Sequence, residues 1–377
     1  MEKNLLIHSM AEFAPITLAV LDVVKARQIC EIGAEHGGNS KLLYQWLQTN
    51  SGQLISIDPA PSRDFINWLP TTNNAVKHIA KLSHEAIPEV KIADVWFIDG
   101  DHNWYTVYNE LILIRECAIK ENKPLLIFMH DVGWPWARRD LYYNPDHIPA
   151  EYRHPFTWQE GVELDNPGVI KGGFRSHGAY AAAVSEGGAR NGVLTAIEDF
   201  IKLHKDQYCF ANIPAVFGLG VLFDLTHPCA DQIAAVLLPF HNNNLLQRLE
   251  YNRLANYLQV IELQDIQQGI LPSPRSEVTK QNAMNTTNTE FNLEQTTLQL
   301  INLLDEGIDD PQILNKVQKS IPQQSNHLTQ FIDYLRMLAS IPQDPIALKW
   351  IEVLQELARL HVENNPANNG LSVEPIE

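Results

Sequence analysis

The sequence has few cysteines, and the four it has are widely spaced. Cys30, Cys117, Cys209 and Cys229 form neither a CxxC pair nor the spacing of a zinc site, which excludes the common cysteine-based metal and redox motifs. No run approaches the ~18 apolar residues that cross a membrane, and the N-terminal residues lack the pattern of a signal peptide. We therefore expect a cytoplasmic protein with no membrane partner.

Positive charge is also scarce. The chain carries 28 lysines and arginines against 45 aspartates and glutamates, a formal net charge of −17. A general nucleic-acid binder needs a basic face to neutralise phosphates, so we expect no nucleic-acid partner. A chain of 377 residues is longer than one that folds around a single small hydrophobic core, so two domains are expected.

Short apolar runs alternate with amphipathic segments through residue 131. Strands are predicted at 28–32, 54–57, 76–80, 95–98 and 124–129, with helices between them. Continuous apolar runs are typical of parallel strands buried on both faces. The alternation therefore predicts an α/β fold with a doubly wound, mostly parallel sheet.

The rest of the chain predicts a lid, a linker and a helical module. Residues 132–190 are rich in aromatics, arginine, glycine and proline without clear periodicity, and we expect them to form a substrate lid. Residues 1–263 would then be the main domain. Residues 264–294 are rich in Gln, Asn, Thr, Ser and Pro, which favours a linker. Residues 295–377 show helical periodicity and predict a module that mediates homo-oligomer contacts.

A glycine turn follows the first predicted strand. Glu31 is followed by Gly33, Gly37 and Gly38, and Asp58 ends the second predicted strand. Glycines at a strand-to-helix turn let the backbone approach a ligand and leave free N–H groups at the helix start. Asp58 stands where an acid would accept ribose hydroxyls, and Glu31 suits a cationic ligand better than a pyrophosphate.

A second group of polar residues follows the next two strands. Asp99, Asp101 and His102 come after 95–98, and His130 and Asp131 come after 124–129. Because ligands of open α/β sheets lie beyond the carboxyl ends of the strands, we expect these side chains to meet at one edge. An alternative is that both acids of the first group cap the following helix, where Asp is favoured. That alternative leaves the His-Asp pair unexplained.

Taken together, these motifs resemble the class I S-adenosylmethionine-dependent methyltransferases over about residues 10–225. The turn EIGAEHGG has their (E/D)xGxxxG form. The resemblance implies a seven-stranded Rossmann-like sheet and S-adenosylmethionine as cofactor, with the three glycines lining its methionine part. It also implies that Asp58 holds the ribose, that Ser83 lies near the adenine, and that Glu31 and Asp99 belong to the cofactor site.

The second group of residues is similar to the metal site of small-molecule and sugar O-methyltransferases. The resemblance implies that Asp99, His130 and Asp131 bind Mg²⁺ or Mn²⁺ and that His102 is the general base. An imidazole at His130 departs from the usual carboxylate, so His130 either lies behind the metal ligands or favours Mn²⁺ or another transition metal. The implied reaction is methyl transfer to a hydroxyl of a phenolic or glycosylated metabolite, as in natural product biosynthesis.

Four lid residues are candidates for contacts with that acceptor: Trp134, Arg138, Arg139 and Tyr143. Aromatic rings and guanidinium groups together suit a polar, anionic or glycosylated ligand. The alternative is that the arginines pair with acids of the lid and hold the loop together.

Two other functions stay open on the sequence. A metal-dependent hydrolase or oxygenase would use Asp99, His102, His130 and Asp131, and the glycine turn would then be structural only. A non-catalytic S-adenosylmethionine-binding scaffold would act through its C-terminal helical module.

Overall fold

The computed structural model describes residues 6–90 and 93–272. It also describes eight separate positions nearer the C-terminus, which are Thr297, Gln299, Leu300, Ser320, Phe331, Leu335, Val353 and Leu354. The chain divides into two compact units, Met1–Pro274 and Arg275–Glu377. The eight positions of the second unit are helical, while the rest of the predicted module 295–377 and most of the predicted linker 264–294 lie outside the described residues.

The described residues of the first unit contain ten strands in two sheets. The strands are β1 (Gln28–Ile32), β2 (Gln53–Ile57), β3 (Val76–Ile79), β4 (Val95–Ile98), β5 (Leu126–His130), β6 (Leu141–Tyr142), β7 (Phe156–Thr157), β8 (Ala181–Ala183), β9 (Tyr208–Ile213) and β10 (Leu219–Asp224). Seven of them form the main sheet in the order β3-β2-β1-β4-β5-β10-β9. All neighbours are parallel except β10, which runs antiparallel to both β5 and β9. The predicted fold class, a doubly wound and mostly parallel seven-stranded sheet, is confirmed.

Helices cover both faces of this sheet. They are α1 (Ala14–Val24), α2 (Gly38–Asn50), α3 (Arg63–Trp68), α4 (Ser83–Ala86), α5 (Trp104–Lys120), α6 (Val193–Leu203), α7 (Ala230–Leu237) and α8 (Asn244–Gln267). In β4, Val95 and Phe97 face the core under α1, α2 and α7, whereas Trp96 and Ile98 face the core under α5 and α6. Burial on both sides is why this strand reads as an unbroken apolar run.

Prolines lie at two helix boundaries. Pro15 lies in the first turn of α1, where a residue without an N–H is tolerated, and a 3-10 helix, Met10–Phe13, ends directly before α1. Pro239 lies in the segment that separates α7 from α8. None of the helices in the described part of the chain is long and apolar enough to cross a membrane.

Residues 132–190, the predicted lid, contain regular structure that their sequence did not indicate. Strands β6, β8 and β7 form a small antiparallel sheet in that order. Further backbone bridges join Gly161 to Ile170 and Val162 to Phe174. The segment lies between β5 and α6, and therefore adjoins the carboxyl-terminal edge of the main sheet.

Candidate active site

The glycine turn touches the end of a neighbouring strand. Gly33 has φ +86°, and a Cβ on it would lie 2.1 Å from the carbonyl oxygen of Asp99, so the two backbones are in direct contact. Gly37 has φ +76° and precedes α2, while Gly38 is its first residue. Because L-residues rarely adopt a positive φ, glycine is required at Gly33 and Gly37. The turn is thus packed against the residue that follows β4.

Asp58 holds the same turn from the other side. Its Oδ2 accepts hydrogen bonds from the N–H groups of Ala34 (2.9 Å) and Glu35 (3.0 Å), and its Oδ1 accepts one from Ala60 (2.8 Å). An ionised carboxylate offers about four acceptor sites, so Oδ1 retains room for one more donor. Ser83 begins α4 directly after β3, the strand beside β2.

Glu31 is buried beneath the turn, with 1% of its surface exposed. Its carboxylate accepts hydrogen bonds from Asn39 Nδ2 (3.0 Å) and from the Ser40 hydroxyl, both in the first turn of α2. Burial raises the pKa of Glu31 to about 7, although these two donors lower it. In this structure Glu31 therefore anchors the start of α2.

Two carboxylates and two imidazoles meet at the ends of β4 and β5. His102 Nε2 lies 2.6 Å from Asp131 Oδ2 and 3.5 Å from Asp99 Oδ1. His130 Nδ1 lies 3.1 Å from Asp99 Oδ1 and 3.4 Å from Asp131 Oδ2. We call these four residues the acid–imidazole cluster. The strands are parallel neighbours, and their carboxyl ends bring the four side chains together as expected.

Asp101 is not part of this cluster. Its carboxylate accepts hydrogen bonds from the His102 N–H (3.1 Å), Asn103 Nδ2 (2.6 Å) and the Thr106 hydroxyl (3.2 Å). Asn103 is the N-cap of α5 and accepts from the Thr106 N–H. Neither acid is therefore the cap of α5: Asp101 supports the capping residue Asn103, and Asp99 belongs to the acid–imidazole cluster.

The tautomer of His130 follows from its second ring nitrogen. His130 Nε2 lies 2.8 Å from the carbonyl oxygen of Val216, which can only accept, so Nε2 carries a proton. Nδ1 then points at the two carboxylates. Histidines that bind metals commonly donate their other N–H to a backbone carbonyl in this way. Asp131 itself has φ +60°, a left-handed conformation that Asp tolerates better than most residues.

The charges within the cluster stabilise one another. Burial raises the pKa of Asp131, but His102 and His130 outweigh it and hold that pKa well below its usual range. Burial lowers the pKa of His102, but Asp131 and Asp99 outweigh it and raise the value to about 10. Each imidazole thus favours the ionised form of the carboxylates, and each carboxylate favours the protonated form of the imidazoles.

The donor set fits a divalent cation. Asp99, His102 and Asp131 each offer a ligand atom, and these atoms lie within 4.8 Å of one another. His130 Nδ1 adds a nitrogen within 3.4 Å of both carboxylates. Mixed carboxylate and imidazole ligands suit Mn²⁺ or another transition metal better than Mg²⁺. The same contacts also make His102, hydrogen-bonded to Asp131, a candidate general base.

Aromatic lid residues lie beside the cluster. Tyr143, 52% exposed, meets the His102 ring edge-on with ring centroids 6.1 Å apart. Tyr180 meets Tyr143 edge-on at 6.3 Å. Trp134 packs against Phe174 at 5.7 Å. Of the four predicted acceptor contacts, Tyr143 is the one that the structure brings against the cluster.

Arg138 and Arg139 are engaged by the protein itself. Arg138 forms a two-pronged ion pair with Glu198 of α6, with both nitrogen–oxygen distances 2.6 Å. Arg139 is 1% exposed, and its guanidinium donates to the carbonyl oxygens of Ala183 (2.6 Å), Pro167 (2.9 Å) and Gly168 (3.0 Å). The arginines therefore hold the lid in place, but through Glu198 of α6 and main-chain carbonyls and not through Asp140, Asp146 and Glu151, the lid acids expected as partners.

Two residues beside the cluster were missed by sequence reasoning. Val216 contributes through its main-chain carbonyl, which no side-chain pattern reports. Tyr180 lies in the lid, where no periodicity distinguished it from the other aromatics.

Comparisons with known proteins add the following. No protein-family model matches the chain, and no curated protein matches it either. Among solved structures it is similar to Podospora anserina methyltransferase PaMTH1 bound to SAH (12% identity, 57% of this chain and 79% of that one, TM-score 0.36). It is similar to an O-methyltransferase from Bacillus cereus in complex with SAH (12%, 57% and 81%, 0.34). It is also similar to the 1,6-didemethyltoxoflavin-N1-methyltransferase of Burkholderia thailandensis (9%, 57% and 77%, 0.30). These scores are low, so the function is inferred below from the chain's own residues.

Proposed function

We propose that this protein is an S-adenosylmethionine-dependent O-methyltransferase acting on a hydroxyl of a small molecule. The supporting observation is the backbone contact between Gly33 and Asp99. Because of this contact, the glycine turn lies directly beside the acid–imidazole cluster. The glycine turn is the candidate binding site of the methyl donor. Methyl transfer needs donor and acceptor in contact, and effective molarities rise steeply when two reactants are held in line.

The cofactor roles follow the sequence expectation. Gly33, Gly37 and Gly38 line the methionine part of S-adenosylmethionine, at a turn whose shape depends on the positive φ of Gly33 and Gly37. Asp58 accepts a ribose hydroxyl through the free acceptor site on Oδ1, and Ser83 contacts the adenine. Glu31 acts indirectly by fixing the first turn of α2.

His102 is the general base of the proposed reaction. It takes the proton of the acceptor hydroxyl, the oxygen attacks the methyl carbon, and the carbon–sulfur bond breaks to release S-adenosylhomocysteine. Asp131 orients the imidazole and stabilises the imidazolium that forms. A divalent cation held by Asp99, His130 and Asp131 would supply Lewis acidity that makes the hydroxyl easier to deprotonate.

The acceptor is proposed to be phenolic or glycosylated. Tyr143 and Tyr180 offer ring faces and edges beside His102, and aromatic side chains bind flat rings and sugar faces through such contacts. The arginines of the lid are not assigned to the acceptor, because their donors are occupied within the protein.

Calorimetry tests this function directly. We expect S-adenosylmethionine to bind the full chain, Asp58→Ala to lose most of that affinity, and His102→Gln to keep it. Release of S-adenosylhomocysteine with a panel of phenols and glycosides should fall sharply in His102→Gln, by about 10² or more, the usual contribution of a general base. Absence of cofactor binding with and without Mn²⁺ would reject the proposal. Mn²⁺ binding without cofactor binding would favour the hydrolase or oxygenase alternative.

A further inference from the structure

The turn between β9 and β10 has an unusual backbone. Val216 (φ +46°), Phe217 (φ +63°) and Gly218 (φ +91°) are three consecutive residues in the left-handed region. Positive φ is a clear outlier for a β-branched or bulky residue. Such a conformation persists only when surrounding contacts determine it, and it is frequent at functional sites.

Contacts from α8 hold this turn in place. Glu250 Oε1 accepts a hydrogen bond from the Phe217 N–H at 2.8 Å. Arg253, one turn further along the helix, donates to both oxygens of Glu250 at 2.6 and 2.7 Å. The Arg253 guanidinium also lies 5.1 Å from the centre of the Phe217 ring. The ion pair is largely shielded, with 13% of the Glu250 side chain and 23% of the Arg253 side chain exposed.

The same turn accepts hydrogen bonds from residues on either side of Asp131 in the sequence, His130 and Gly133. The carbonyl oxygen of Val216 accepts the Nε2 proton of His130 at 2.8 Å. The carbonyl oxygen of Phe217 accepts the N–H of Gly133 at 2.6 Å. A Cβ on Gly133 would lie 2.6 Å from that carbonyl oxygen, so the two segments cannot move past each other freely. The turn therefore holds one of the two ring nitrogens of His130, and the other nitrogen faces Asp99 and Asp131.

We propose that Glu250 is a positioning residue for the candidate active site, acting with Arg253 through the Val216–Phe217 turn. By fixing that turn it holds the His130 proton on Nε2 and keeps Nδ1 directed at Asp99 and Asp131. The expected effect of Glu250 on cation binding rests on the proposed function. The expected effect of Glu250 on the position of the His130 ring does not depend on that function.

The loss of a group that orients a metal-binding histidine typically weakens metal binding about 10- to 100-fold. We therefore expect Glu250→Ala to lower Mn²⁺ affinity by about that factor, measured with Mn²⁺ alone by electron paramagnetic resonance, with S-adenosylmethionine affinity within about twofold of wild type. Glu250→Gln keeps an acceptor for the Phe217 N–H and should recover most of the affinity. Glu262→Ala is the matched control, because Glu262 is an exposed glutamate of the same helix.

A second readout does not depend on the cation. The Nε2 proton of His130 is buried and hydrogen-bonded, so it should give a slowly exchanging proton resonance, assigned by its absence in His130→Gln. This resonance should disappear or broaden in Glu250→Ala and persist in Glu262→Ala. If wild type binds no Mn²⁺, the proposed metal role fails, while the resonance still tests the positioning role. A wild-type resonance in Glu250→Ala would overturn the inference. If Glu250→Ala does not fold, Arg253→Met takes its place, and we expect a smaller loss of Mn²⁺ affinity in that variant. Wild-type Mn²⁺ affinity together with a wild-type His130 resonance in Arg253→Met would overturn the inference.

Discussion

Substituting Gly33 by alanine tests the contact that joins the two halves of the candidate site. A Cβ at this position would lie 2.1 Å from the Asp99 carbonyl oxygen and 2.7 Å from Gly100 Cα, both main-chain atoms that cannot rotate away. The left-handed backbone costs an alanine ~1–2 kcal/mol. Overpacking against a rigid neighbour typically costs a further ~1–3 kcal/mol. We expect Gly33→Ala to lower the free energy of unfolding by about 2–5 kcal/mol in total.

A matched glycine separates the two contributions. Gly188 has φ +84°, nearly the value of Gly33, but no atom lies within 4 Å of the position its Cβ would take. Gly188→Ala should therefore cost only the backbone part, ~1–2 kcal/mol. Urea unfolding followed by tryptophan fluorescence measures both variants. A Gly33→Ala variant no less stable than Gly188→Ala would refute the close approach of the glycine turn and Asp99. Calorimetry should also show weaker S-adenosylmethionine binding in Gly33→Ala alone.

Two further predictions concern ionisable side chains outside the acid–imidazole cluster. Burial raises the pKa of Glu110 to about 8 from an ordinary value of 4.5, so the folded state keeps a proton that the unfolded chain releases. This contribution to the free energy of unfolding is complete below the unfolded pKa and is lost as pH rises through about 8. The urea midpoint of Glu110→Gln should therefore fall less than that of wild type between about pH 5 and pH 8.5. An equal fall in the two proteins would contradict this prediction. Arg139→Met leaves carbonyl oxygens unsatisfied and should cost ~3 kcal/mol or more. Arg138→Met breaks an exposed pair with Glu198 and should cost under ~1 kcal/mol in the same assay, and equal costs would contradict the contrast.

The strands that the sequence predicted best are those buried on both faces. The bounds of β1 and β4 coincide with the predicted 28–32 and 95–98. β4 is a continuous apolar run between Asp94 and Asp99, whereas β1 is interrupted by Glu31 but is buried from Ile29 to Ile32. β9 was missed for the opposite reason. It is an edge strand of the sheet, and only Ala211 and Ile213 in it are fully buried.

The candidate site divides in the same way. The four residues of the acid–imidazole cluster could be associated from sequence, because the carboxyl ends of neighbouring parallel strands share an edge whatever their side chains are. The residues that surround the cluster could not be associated with it from the sequence. Val216 is 86 residues from His130 and acts through its carbonyl, and Glu250 is a further 33 residues from the Phe217 N–H that it accepts.

Backbone conformation explains why these surroundings leave no sequence signal. Gly33, Asp131, Val216 and Phe217 all have positive φ, and three of them are not glycine. A non-glycine residue in this region has no local preference for its conformation, so tertiary contacts must impose it. Here those contacts come from Asp99, Glu250 and Gly133, which belong to different parts of the chain. A site built on imposed backbone geometry is therefore visible in the sequence only through the side chains that perform the chemistry, while the residues that hold it in shape emerge from the folded structure.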